Sequence, residues 1–165
     1  MTRILGIDPG FERLGIAILE AASAKGYGAP KKEIVIFSDC FKTKALLPFS
    51  ERLKLIGEEV RRIIKKYKPE VLAIETLFFT TNQKTVMRVA EARGVCIYEA
   101  AQAGLRIFEA SPLQIKIATT GYGRANKEQV MKMVKMLVEI KDSKKLDDEL
   151  DAIAIALTAF AHLRF

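Results

Sequence analysis

Two apolar runs open the chain, RILGI (Arg3–Ile7) and LGIAILE (Leu14–Glu20), with Pro9-Gly10 between them. β-rich runs parted by turn residues predict a hairpin. KGYGAPKK (Lys25–Lys32) carries two Gly, one Pro and three Lys and reads as a loop. EIVIFSDCF (Glu33–Phe41) reads as a third strand. From Ser50 the period changes to 3.6, with Leu53, Ile56, Val60, Ile63 and Ile64 on one face and charges opposite. Ser50 is the expected cap, and Lys68-Pro69 the expected stop.

VLAIE (Val71–Glu75) is short and apolar throughout, as a buried strand would be. Asn82 to Ala103 reads as a long helix through Val86, Val89, Ala90, Val95 and Ile97. Gly94 inside it suits a place where another helix packs close. LRIFEA (Leu105–Ala110) is a fifth strand, and Ser111-Pro112 starts a short helix. TTGYGRA (Thr119–Ala125) is a Gly-rich loop. Asn126 with Gln129 makes a capping box for a helix from Lys127 to about Glu139. A charged connection, IKDSKK, leads to a last helix from Asp147 to Ala161.

Apart from the short helix, the order is β-β-β-α-β-α-β-α-α, with no repeat and no linker. The first strands suit an antiparallel hairpin, and the last two arrive through helices. The expectation is an α/β fold, a mixed sheet with helices on both faces, in one domain spanning 1–165.

Against this pattern four acids stand out. Asp8 ends the first strand and Glu75 the fourth. If those strands are parallel neighbours, both acids emerge at one edge of the sheet. Asp148 and Asp151 lie three apart at the head of the last helix and share a face. Below them AIAIALTAFA is apolar almost all round and must be buried. Each acid alone has an ordinary reading, as a turn residue or a helix-start acid; Asp147 keeps that reading. Together they would repel, raise one another's pKa and call for a cation. Oxygen ligands without His or Cys point to Mg²⁺ or Mn²⁺. A pair of such ions among carboxylates hydrolyses phosphodiesters.

Charge then gains a meaning. The chain has 27 Lys+Arg against 20 Asp+Glu, a net of +7 over 165 residues. A basic domain with such a site fits a polyanionic substrate. Half of the residues are apolar, which excludes a disordered chain. Cys40 and Cys96 are far apart in apolar stretches and read as reduced core residues. The first apolar run meets Asp8 too soon for a secretory signal, and Ala152–Ala161 is too short to span a bilayer. A cytoplasmic protein without a membrane partner is expected. His162, near the end of the last helix, reads as inert.

The stretches GIDPG, ERLKLI, AIETLFF, EARGV, TGYGRANKEQV and DDELDAIAIALT keep the order of the motifs of RuvC-type Holliday-junction resolvases, from about Arg3 to Ala159. The chain resembles that family. The resemblance implies an RNase H-like fold with strand order 3-2-1-4-5 and a homodimer. It implies a metal-dependent endonuclease of DNA recombination and repair, cutting two strands of a four-way DNA junction symmetrically. It puts the family's acids on Asp8, Glu75, Asp148 and Asp151, with two Mg²⁺ or Mn²⁺ ions per site. It puts an aromatic near the junction centre on Phe78, and basic DNA contacts on Lys116 and Lys127. Arg124 lies in the same Gly-rich loop as a further DNA-binding candidate. A branch-migration motor is the implied partner. Phe11 and Leu14 depart from the family, which carries small or polar residues after the DPG turn and a Thr before the next Gly.

Three other readings compete. A relative of the same fold would cut RNA or RNA–DNA hybrid. GIDPG also resembles the phosphate loop of actin-like ATPases and sugar kinases, which need two such domains. A junction binder without catalysis would not need all four acids.

Overall fold

β1 (Arg3–Asp8) lies at the centre of a five-stranded sheet ordered β3-β2-β1-β4-β5. β2 (Arg13–Glu20) pairs with it antiparallel, with Asp8 opposite Gly15, and β3 (Ile34–Lys42) continues antiparallel through a register shift at Ile18/Leu19. β4 (Val71–Glu75) and β5 (Arg106–Ala110) add in parallel on the other side. The computed structural model describes residues 2–21, 33–77, 83–139 and 147–163. The expected sheet order and mixed pairing are both present.

α1 (Phe49–Tyr67) and α2 (Gln83–Gln102) cover one face, over Leu5, Ile7, Ile16, Ile18, Leu72 and Ile74. α3 (Pro112–Thr120), α4 (Lys127–Leu137) and α5 (Asp147–Leu163) cover the other, over Ile4, Ala17, Leu19, Val71 and Ala73. Alternate strand residues therefore feed two separate cores, as a period of two requires.

Helix ends follow local chemistry, with one correction. α3 and α4 open on full capping boxes, Ser111 with Gln114 and Asn126 with Gln129. α1 does not start on Ser50. Pro48 takes the N-cap at φ −51° without a side-chain cap, and its carbonyl accepts from the Arg52 N–H at 3.1 Å. Proline's fixed φ preorganises that start, leaving Ser50 exposed within the first turn. The stop is as expected: Lys68 turns left-handed at φ 48° and Pro69 follows. α4 ends at Leu137, earlier than its pattern suggests, because Glu139 leaves the helix to bridge Ile34 at the start of β3.

Gly94 is a second correction. It is exposed, and a β-carbon there would meet nothing within 4 Å. The glycine at the helix–helix contact is Gly57 of α1, where a β-carbon would lie 3.1 Å from Val95 Cγ1. Arg61 of α1 reinforces that contact with two hydrogen bonds to the buried Glu99, at 2.7 and 2.9 Å.

α5 lies against the sheet with almost no side chain between. A β-carbon at Gly6 would fall 2.2 Å from the Ala152 carbonyl oxygen, and one at Gly15 equally close to that of Asp148. Glycine on the strands and alanine on the helix set this spacing, and it brings the head of α5 down beside the end of β1.

Candidate active site

Ile7 pairs with Ile74 across parallel strands, so Asp8 and Glu75 follow as neighbours at the same edge of the sheet. Gly15, opposite Asp8 on β2, seats the Asp148 backbone. One helical turn places Asp151 on the same side of α5 as Asp148. Strand parity and two glycines thus direct four acids from three elements toward one place.

Electrostatics records the crowding. The Asp8 carboxyl is pushed up to about 7 by burial, then by the charges of Asp151, Glu75 and Asp148, with Lys127 pulling the other way. Glu75 is raised by burial and by Asp151. Asp151 is raised by burial, against a hydrogen bond from Lys127. Lys127 Nζ stands 3.1 Å from Asp151 Oδ2 and 3.8 Å from Asp147 Oδ2. Asp148 is ion-paired to Arg13 and accepts from Cys40 Sγ at 3.5 Å.

As the side chains stand, no three Asp, Glu, His or Cys groups among the described residues are arranged to hold one ion between them. Arg13 is paired with Asp148, and Lys127 with Asp151. The donor set nonetheless suits a hard divalent cation, since every acid offers oxygen. A positive charge would also relieve the repulsion that raises Asp8.

A cleft of about 220 Å³ opens beside the acids, and Glu75, Asp151, Lys116 and Lys127 all line it. Lys116 is half-buried on α3, and Lys127 is exposed at the first position of α4. Arg124 is exposed on the loop between those helices and does not line the cleft. Phe78 lies outside the described residues.

Two arginines that the sequence does not single out also support the site. Arg13 holds Asp148, and only the three-dimensional fold brings them together. Arg93 of α2 donates from Nε to the Glu75 carbonyl at 2.9 Å and pairs with Glu109 on β5, tying the end of β4 to its neighbours. The EARGV stretch is the one sequence signal that includes it. Cys40 is free and buried as expected, yet it sits at the rim of the acid cluster rather than in the core.

An RNase H-like sheet with carboxylates gathered where its central parallel strands end, beside a cleft that two lysines line, defines a hydrolytic nuclease. Residues 4–159 match the family described as Crossover junction endodeoxyribonuclease RuvC. The RuvC of Thermosipho melanesiensis is 40% identical over 163 residues, covering 99% of both chains. That of Halothermothrix orenii is 42% identical over 93% of this chain and 89% of its own. Among solved structures, T. thermophilus RuvC in complex with Holliday junction substrate superposes with a TM-score of 0.89 at 30% identity, covering 99% of this chain and 96% of that one. The chain belongs to the RuvC family of crossover junction endodeoxyribonucleases.

Proposed function

We propose that this chain resolves four-way DNA junctions by paired, symmetric nicks, as a metal-dependent endonuclease of recombination and repair. The observation that carries this reading is the convergence of three carboxylates, from β4 and α5, on the electrostatics of Asp8. The resemblance to a RuvC captured on Holliday junction substrate supplies the DNA.

Asp8, Glu75, Asp148 and Asp151 would hold two divalent ions, Mg²⁺ or Mn²⁺. When bound, such a pair activates the attacking water and stabilises the leaving oxygen. The water attacks phosphorus in line, the bond to the 3′ oxygen breaks, and the products carry 5′-phosphate and 3′-hydroxyl ends. Lys127, released from Asp151, faces phosphate, and Lys116 meets the backbone from within the same cleft. Arg124 extends that contact along the strand. Phe78, three residues after Glu75 in sequence, stacks on bases at the junction centre, a contact worth roughly 1–3 kcal/mol per base.

The chain works as one domain, 1–165, in a homodimer whose two-fold axis matches that of the junction. α2 is the dimer face: Gly94 is open, and Met87 and Tyr98 are exposed large apolar residues on that helix. A branch-migration motor is the partner that delivers junctions, in the cytoplasm. Among the described residues no helix is long and apolar enough to cross a membrane.

The test sets a synthetic four-way junction against an RNA–DNA hybrid, each with purified protein in Mg²⁺. Paired junction nicks, lowered about 10³-fold or more in Asp8→Asn with junction binding retained, are expected from the loss of several kcal/mol of charge stabilisation. Cleavage of the hybrid with the junction left whole would give the protein to RNA instead.

A further inference from the structure

Tyr122 sits on the short turn between α3 and α4, 56% exposed. Leu113 and Ile117, one helical turn apart on α3, are also exposed large apolar residues. The turn is fixed in place. Gly121 takes the left-handed conformation at φ 73°, and the Tyr122 N–H donates to the Thr120 hydroxyl oxygen at 3.1 Å. The Tyr122 carbonyl accepts from the Ala125 N–H at 3.1 Å, and Asn126 at once caps α4. Gly123 packs on α3 so closely that a β-carbon there would meet Leu113 Cδ1 at 2.6 Å. An aromatic ring is therefore presented to solvent from a rigid support, beside an apolar ledge.

Its surroundings define what it meets. Lys116 and Lys127 flank the turn in sequence and line the cleft with Glu75 and Asp151, and Arg124 is exposed two residues beyond Tyr122. An exposed aromatic within six residues of three cations, two of which line the cleft of a phosphate-cleaving site, matches a nucleic-acid strand. The cations face its backbone and the ring faces a base. A purely apolar protein surface would have to desolvate the same three cations without pairing them.

We propose that Tyr122 is a base-stacking residue for the DNA strand that enters the site, with Leu113 and Ile117 as the apolar ledge beside the stacked base. This rests on the nuclease reading above and adds a second stacking platform, on the turn between α3 and α4. Stacking needs the ring face and not the hydroxyl, so Phe replaces Tyr122 without loss.

The test measures junction affinity in the Asp8→Asn background, so that bound DNA stays whole. Tyr122→Phe is expected within twofold of that parent, and Tyr122→Ala weaker by about 5- to 150-fold. The chain contains no Trp, so Tyr122→Trp is a single reporter whose emission a stacked base quenches. Affinity of Tyr122→Ala within twofold of its parent overturns the proposal, as does Tyr122→Trp emission unchanged at saturating junction. Either result, with the unsubstituted chain cutting junctions, leaves the nuclease reading intact. An unsubstituted chain that cuts no junction removes that reading first.

Discussion

Gly15 lies directly beneath Asp148: a β-carbon at Gly15 would come within 2.2 Å of the Asp148 backbone oxygen and 3.1 Å of the Asp8 β-carbon. Backbone at that distance has no flexible end that could move aside. Gly15→Ala must lift the first turn of α5 from β2 and separate Asp148 from Asp8. The expected cost is about 1–3 kcal/mol of stability, the range for overpacking. Single-turnover nicking should fall by more than about tenfold, because misplacing reacting groups by about 1 Å is that costly. Urea denaturation with nicking assays checks both, and junction affinity should change little.

Asp8 couples stability to pH. Its carboxyl stands at about 7 in the fold against 3.8 as the ordinary value, so the folded protein holds this proton more tightly than the unfolded chain. That contribution is fully present below pH 3.8 and is lost as pH rises through 7. Glu75 and Asp151 shift in the same direction. Without metal the protein should therefore weaken between about pH 4 and 7, by up to about 4 kcal/mol from Asp8 alone. Asp8→Asn removes the effect, so its stability advantage in EDTA should grow across this interval and level off above it. Denaturation at pH 5 and pH 8 reads the difference, and Mg²⁺ at pH 8 should stabilise the parent and not the variant.

The acids were legible in the sequence because each ends a patterned segment. Asp8 and Glu75 close apolar strands, and a parallel pairing of those strands suffices to bring them to one edge. Asp148 and Asp151 stand in the first turns of a helix too apolar to face water. Capping boxes at Ser111 and Asn126 were legible because both partners lie within one turn. Contacts between distant segments were not. Nothing local marks Gly6 and Gly15 as the seats of α5, or Arg13 as the partner of Asp148. Gly94 and Gly57 look alike in a helical pattern, and only packing shows which one meets a neighbouring helix. Ser50 gave way to Pro48 because a fixed φ one residue before the helix outweighed a capping side chain. Phe11 packs edge-on against Phe49 at 5.7 Å beneath the Arg52 guanidinium, tying the DPG turn to the start of α1.

Arg13 competes with cations for Asp148. The pair is half-exposed on the Arg13 side, so its strength is that of a surface ion pair, about 0.2–1 kcal/mol. Arg13→Ala frees the carboxylate and removes a positive charge from the site. Divalent-metal affinity without DNA should rise by about two- to fivefold. Calorimetric titration of Mn²⁺ into the DNA-free protein measures this, and affinity that falls would make Arg13 an orienting partner of Asp148 instead.

Lys116 and Arg124 differ from Lys127 in having no acid to hold among the ion pairs of the described residues, so their removal tests DNA contact alone. Lys116 reaches into the cleft from a half-buried position, and Arg124 is exposed on the loop outside it. A cation that neutralises one phosphate releases about 0.9 counterions on duplex DNA. Each of Lys116→Ala and Arg124→Ala should therefore flatten the plot of log affinity against log salt by about one unit, in junction arms of any sequence. Phosphate contacts carry no base information, so the preferred cleavage sequence should stay the same. Lys127→Ala should flatten the plot equally and also move the acid limb of the nicking pH profile upward, because Lys127 lowers the pKa of both Asp8 and Asp151. A salt dependence unchanged in both Lys116→Ala and Arg124→Ala would place the DNA backbone on another face of the protein.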